Sequence, residues 1–70
     1  MANTTIDKLD RMYFLNEEIC MKQEEIRFAI EWNKRKQITD KELIKLDRKL
    51  SKEIKEHLRE WNEIKVILLI

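Results

Sequence analysis

The sequence predicts an all-α fold: an antiparallel two-helix hairpin that dimerises into a four-helix bundle. Three observations carry that expectation. The 70 residues include no glycine and no proline, so the usual residues for positive-φ turns and rigid bends are missing. That excludes all-β folds, Gly-rich phosphate loops and Rossmann-type turns. Apolar residues recur at helical spacing along nearly the whole length, and only Asn33-Lys34-Arg35-Lys36-Gln37 interrupts them with five polar residues. A chain this short builds at most one core, so residues 1–70 are expected to form a single domain.

The first helix is expected over about 5–33. Ile6, Leu9, Met12, Tyr13, Ile19, Cys20, Ile26 and Ile30 fall in one broad sector, with Phe14, Met21, Phe28 and Trp32 in a second strip beside it. One neighbouring helix covers one stripe, so the first helix carries more apolar surface than its companion hides. The turn falls at 34–38, with Asn33 the best substitute for a C-terminal glycine because asparagine tolerates the left-handed region.

The second helix is expected over about 39–68, and its start is the best-marked boundary. Thr39 is the N-cap, Asp40 lies in the first turn, Glu42 completes a capping box, and Ile38 can staple onto Leu43. Leu43, Leu46, Leu50, Ile54, Leu58, Trp61, Ile64 and Leu68 then share one sector about 120° wide. The 3-4-4 opening of this stripe favours nearly straight packing over a parallel leucine zipper.

Helices of roughly 43–45 Å joined by a few residues pair antiparallel. Residues 1–33 carry net charge −3 and residues 34–70 carry +4, which biases that pairing, although exposed pairs contribute only about 0–1 kcal/mol each. A lone hairpin rarely buries enough to offset its ordering entropy. The strip of Phe14, Met21, Phe28 and Trp32 therefore implies either a homodimer core or a docking surface for another helical protein.

Catalytic and metal chemistry find little support in the residue pattern. Cys20 is the only cysteine and His57 the only histidine, so neither an internal disulfide nor a zinc cluster is expected, and no cofactor or small-molecule substrate is implied. His57, four residues from Glu53, has the spacing of an oriented base, but a half-buried interface histidine explains it more economically. The pairs Glu17-Glu18 and Glu24-Glu25 read as a solvated rim rather than a metal site. MANTTIDKLD lacks the basic-then-apolar order of a signal peptide, and Val66 to Ile70 is too short to span a bilayer. A cytoplasmic protein without a membrane segment is expected.

A second pattern is basic. Lys41, Lys45, Arg48, Lys52, Lys55 and Arg59 fall within about 80° of one another, opposite the apolar stripe, as a row able to track phosphates or an acidic surface. Flanking glutamates and a net charge of only +1 place nucleic-acid binding behind protein binding.

From Arg27 to Ser51, Arg27, Ile30, Lys36, Thr39-Asp40, Glu42-Leu43-Ile44-Lys45-Leu46 and Leu50 together resemble the stage-zero sporulation E-like small aspartyl-phosphate phosphatases of spore-forming bacteria. The resemblance implies a helical hairpin whose second helix presents a Ser-Gln-Glu-Leu-Asp motif to the phosphorylated aspartate of a response regulator. The matching positions here are Asp47-Arg48-Lys49-Leu50-Ser51, of which Leu50 alone agrees, and the family's turn glycine is Gln37. Kinship would thus imply a docking hairpin without the dephosphorylating residues. The expected function is that of a small, non-enzymatic regulatory or adaptor protein that binds itself, a helical partner, or both. A response-regulator phosphatase and a dimeric nucleic-acid-binding hairpin are the alternatives.

Overall fold

The computed structural model describes residues 4–69. Helix α1 (Thr4–Lys34) and helix α2 (Asp40–Leu69) lie antiparallel along their whole lengths, and the described residues contain no strand. The molecule is a rod with extents of 53 × 16 × 15 Å.

The sides that meet are defined by burial. On α1 Met12, Leu15, Ile19, Lys22, Ile26, Ala29 and Asn33 are buried or half-buried and follow one another at steps of three and four, the spacing of a coiled-coil seam, with Glu18 half-buried at its edge. On α2 the matching series is Leu43, Leu46, Leu50, Ile54, His57, Trp61, Ile64 and Leu68. It begins with the 3-4-4 step and then settles into the same alternation. Leu15, Ile19, Ala29 and Leu50 are the buried residues among those described, Leu15 and Ala29 completely so.

This seam corrects the expected core in three places. Ile6, Leu9, Tyr13, Cys20 and Ile30 are exposed, Leu15 and Ala29 are the most deeply buried residues of α1, and on α2 Leu58 stays exposed, whereas His57 is half-buried as expected. The reason is geometric. Apolar residues ring α1, so its periodicity marks no single face, whereas α2 is apolar on one side and selects which residues of α1 are covered. A constant 100° step also drifts by about 20° per heptad from a seam that repeats every seven residues, which pulled Leu58 into the stripe.

The turn differs from expectation in which residue carries the left-handed backbone. Lys36, with φ of 61°, takes that role, and Asn33 remains helical. The amide of Gln37 donates to the Trp32 carbonyl at 2.8 Å and that of Lys36 to the Asn33 carbonyl at 2.9 Å, the paired bonds of a Schellman cap. Asn33 instead pins the turn with its side chain: Nδ2 donates to the Ile38 carbonyl at 3.2 Å and to Asp40 Oδ1 at 2.8 Å. The capping box of α2 forms as expected. The Glu42 amide donates to Thr39 Oγ1 at 3.1 Å, and the Thr39 amide donates to Glu42 Oε1 at 3.3 Å.

Candidate interaction faces

Packing two long helices edge to edge leaves four surfaces: the outer face of each helix and two broad sides to which both contribute. Each has its own chemistry.

The outer face of α1 combines rings and acids. Of the predicted strip, Phe14, Met21 and Phe28 share one heptad position on the side away from the seam, whereas Trp32 falls at the heptad position of Arg11 and Glu18; all four are between 47% and 59% exposed. Asp10, Glu17, Glu24 and Glu31 recur every seven residues on the same face and are exposed. The intrahelical ion pairs here are exposed: Arg27 with Glu24 at 2.9 Å and Lys34 with Glu31 at 3.4 Å. The Arg11 guanidinium stands 5.0 Å from the Phe14 ring centre and that of Arg27 5.7 Å from Phe28, so cations cover part of these aromatic faces.

The outer face of α2 is cationic. Lys41, Lys45, Arg48, Lys52, Lys55 and Arg59 are all exposed, and they too recur at steps of four and three. Two exposed apolar side chains stand among them, Ile44 beside Lys41, Lys45 and Arg48 and Leu58 beside Lys55 and Arg59. An open groove of about 790 Å³ along the C-terminal half of α2 continues from the end of the row, lined by Lys55, Leu58, Arg59, Asn62, Glu63, Val66 and Ile67. The apolar run that begins at Val66 ends at Ile70, which lies outside the described residues; Val66, Ile67 and Leu69 are exposed.

One broad side is closed by ion pairs between the helices. Arg11 clasps Glu60 with two nitrogens, Nη2 lying 3.1 Å from Oε1. Lys22, with a side chain only 15% exposed, pairs with Glu18 at 2.9 Å and approaches Glu53 at 4.0 Å. The hydrogen bond from Arg11 holds the Glu60 carboxyl below its ordinary value, and that from Lys22 does the same for Glu18. A carboxyl whose folded value is depressed adds stability that is present above its unfolded value of about 4.3 and is lost as pH falls through the folded one. The melting temperature is therefore expected to fall on acidification below roughly pH 4.3, and Glu60→Gln to flatten that dependence. Calorimetric scans at stepped pH check this, and an unchanged pH profile in the variant would contradict it.

The opposite broad side is apolar. Two shallow grooves of about 310 Å³ each lie on it, one lined by Leu9, Met12, Tyr13, Asn16 and Trp61 and the other by Ile26, Ile30, Leu43, Ile44 and Asp47. Both draw residues from both helices.

The positions matched to the phosphatase motif do not converge. Asp47, Arg48 and Lys49 are exposed, Leu50 is buried in the seam, and Ser51 Oγ donates to Asp47 Oδ1 of its own helix at 3.3 Å. Their spacing of one residue scatters them around α2. Among the described residues no group of three His, Cys, Asp or Glu could hold a metal ion, and no helix is long and apolar enough to cross a membrane. Sequence reasoning missed Leu9, Ile30, Ile44 and Leu58 as members of one apolar side, because that surface exists only once two helices are laid together. No family model, no characterised protein and no solved structure matches this chain.

Proposed function

We propose that the protein is a small adaptor that acts by docking a helix of another protein on the outer face of α1. The observation that carries this reading is the half-exposed row of Phe14, Met21 and Phe28 on the side away from α2, interleaved with Asp10, Glu17, Glu24 and Glu31. Large rings exposed at helical spacing are the anchors of helix-in-groove recognition. The acids select the partner: a helix with apolar residues at heptad spacing and lysine or arginine beside them gains contact area and charge complementarity together. The chain's own basic row meets that description only in part: Ile44 stands beside Lys41, Lys45 and Arg48 and Leu58 beside Lys55 and Arg59, but the heptad position between them is Ser51.

Ser51, bonded to its own helix, and the scattered Asp47-Arg48-Lys49 favour docking over aspartyl-phosphate hydrolysis. The basic row of α2, with Ile44 and Leu58 at its edge, remains for acidic surfaces or nucleic acid.

The test is a titration of the Trp61→Phe protein, in which Trp32 is the single tryptophan, with a basic amphipathic helical peptide and with its acidic counterpart. Saturable change in Trp32 emission with the basic peptide alone is expected, weakening in salt and falling at least about tenfold, about 1.4 kcal/mol, in Met21→Glu. Equal response to both peptides, or none to either, would overturn the proposal.

A further inference from the structure

We infer that a second copy of this chain covers the apolar broad side formed by Leu9 and Ile30 of α1 and Ile44 and Leu58 of α2, so that two hairpins stack into a four-helix bundle through that side and leave the rings of α1 free. The four residues are between 40% and 52% exposed. They lie along the rod from its turn end, where Ile30 meets Ile44, to its open end, where Leu9 lies beside Trp61.

A bundle of two hairpins needs an interface to which both helices contribute, and two surfaces meet that condition. The side bearing Arg11–Glu60 and Glu18–Lys22–Glu53 would have to bury those ions on association, and desolvating charges offsets what their pairing gains. The apolar side asks little of this kind. Of the residues lining its two grooves, Asn16 is uncharged and Asp47 is the one charged group.

The outer faces fail as self-contacts for a different reason. A two-fold contact sets a patch against itself. On α1 that would oppose Asp10, Glu17, Glu24 and Glu31 of both copies, and on α2 it would oppose two rows of lysine and arginine. Like charges repel in both cases.

Charge on the chosen side suits a second copy. Asp47 lines the groove at the turn end, and Lys65, its Nζ 5.0 Å from the centre of a Trp61 ring, lies by the groove at the open end. A two-fold axis perpendicular to the rod sets the open end of one copy on the turn end of the other, bringing Lys65 of each toward Asp47 of the other.

Surface area agrees with this occupant. The hairpin exposes 6020 Å², whereas a compact monomer of 8.7 kDa exposes about 4,700 Å². The excess of roughly 1,300 Å² comes from the 53 × 16 × 15 Å rod shape, and laying a second rod alongside removes surface of the order of the about 800 Å² per partner that a standard stable interface buries.

Light scattering on the full chain, with Ile44→Glu and Phe28→Glu beside it, tests the inference. The unaltered chain is expected at about twice 8.7 kDa, Phe28→Glu at the same mass, and Ile44→Glu with self-association at least about tenfold weaker, equivalent to about 1.4 kcal/mol. Should Ile44→Glu fail to fold, isotope-filtered NOEs between differently labelled copies of the unaltered chain take its place. Intermolecular contacts at Ile30, Ile44 and Leu58 support the inference. A monomeric unaltered chain, or intermolecular contacts centred on Phe14 and Phe28, would overturn it. The adaptor reading is scored separately, by the Trp32 titration, so either can fail alone.

Discussion

Leu15→Ala is expected to lower the unfolding free energy by about 2–5 kcal/mol, the range found when a buried leucine is truncated and its surroundings cannot close over the gap. Leu15 is the largest fully buried side chain among the described residues, and it sits in a seam only one residue wide. Small domains hold a total stability of only about 5–15 kcal/mol, so this one truncation removes a large fraction of it. Urea denaturation followed by circular dichroism reads the effect, with Tyr13→Ala as the control, since Tyr13 is exposed. Equal losses in the two variants would mean that the core lies elsewhere than between Leu15 and α2.

Ala29→Leu is expected to destabilise by about 1–3 kcal/mol, for the opposite reason. Ala29 is fully buried one turn before the Schellman cap, where the two helices converge on the turn, and a longer side chain there must push α2 away or leave its rotamer well. On helix propensity alone the two residues are nearly equivalent, so propensity predicts almost no change and packing predicts a clear loss. Thermal unfolding of the variant distinguishes them. A melting temperature equal to that of the unaltered chain would show that the helices are not in close contact at this point.

Both substitutions concern residues that the pattern of α1 did not single out. With apolar side chains at Ile6, Leu9, Tyr13, Phe14, Cys20, Met21 and Phe28 as well as in the seam, no rotation of α1 about its axis is favoured by α1 itself. The one-sided stripe of α2 decides the rotation. Lys22 shows the consequence: a charged residue occupies a seam position between Ile19 and Ile26, kept there by Glu18 and Glu53. A polar residue at a single seam position sets register at some expense of stability, and Lys22 with its two glutamates can do so here because they stand on different helices.

The turn teaches the same lesson at shorter range. Without glycine, some residue with a Cβ has to adopt positive φ if α1 is to end in a Schellman cap. Local preference points to Asn33. The bonds from Asn33 Nδ2 to Ile38 and Asp40 are worth more to the hairpin than a comfortable backbone at that position, and Lys36 takes the left-handed conformation three residues later.

What the sequence determined by itself is local and additive: two helices, because no residue breaks them; the start of the second, because Thr39 and Glu42 satisfy each other's amides; an antiparallel pairing, because the connection is too short for any other. The tertiary structure alone decided which side of α1 is buried, and with it that Phe14, Met21 and Phe28 face outward while Leu9, Ile30, Ile44 and Leu58 merge into one apolar side. Burial belongs to a pair of surfaces and not to either one, so a helix that is apolar all round acquires an inside and an outside only when its neighbour is set against it.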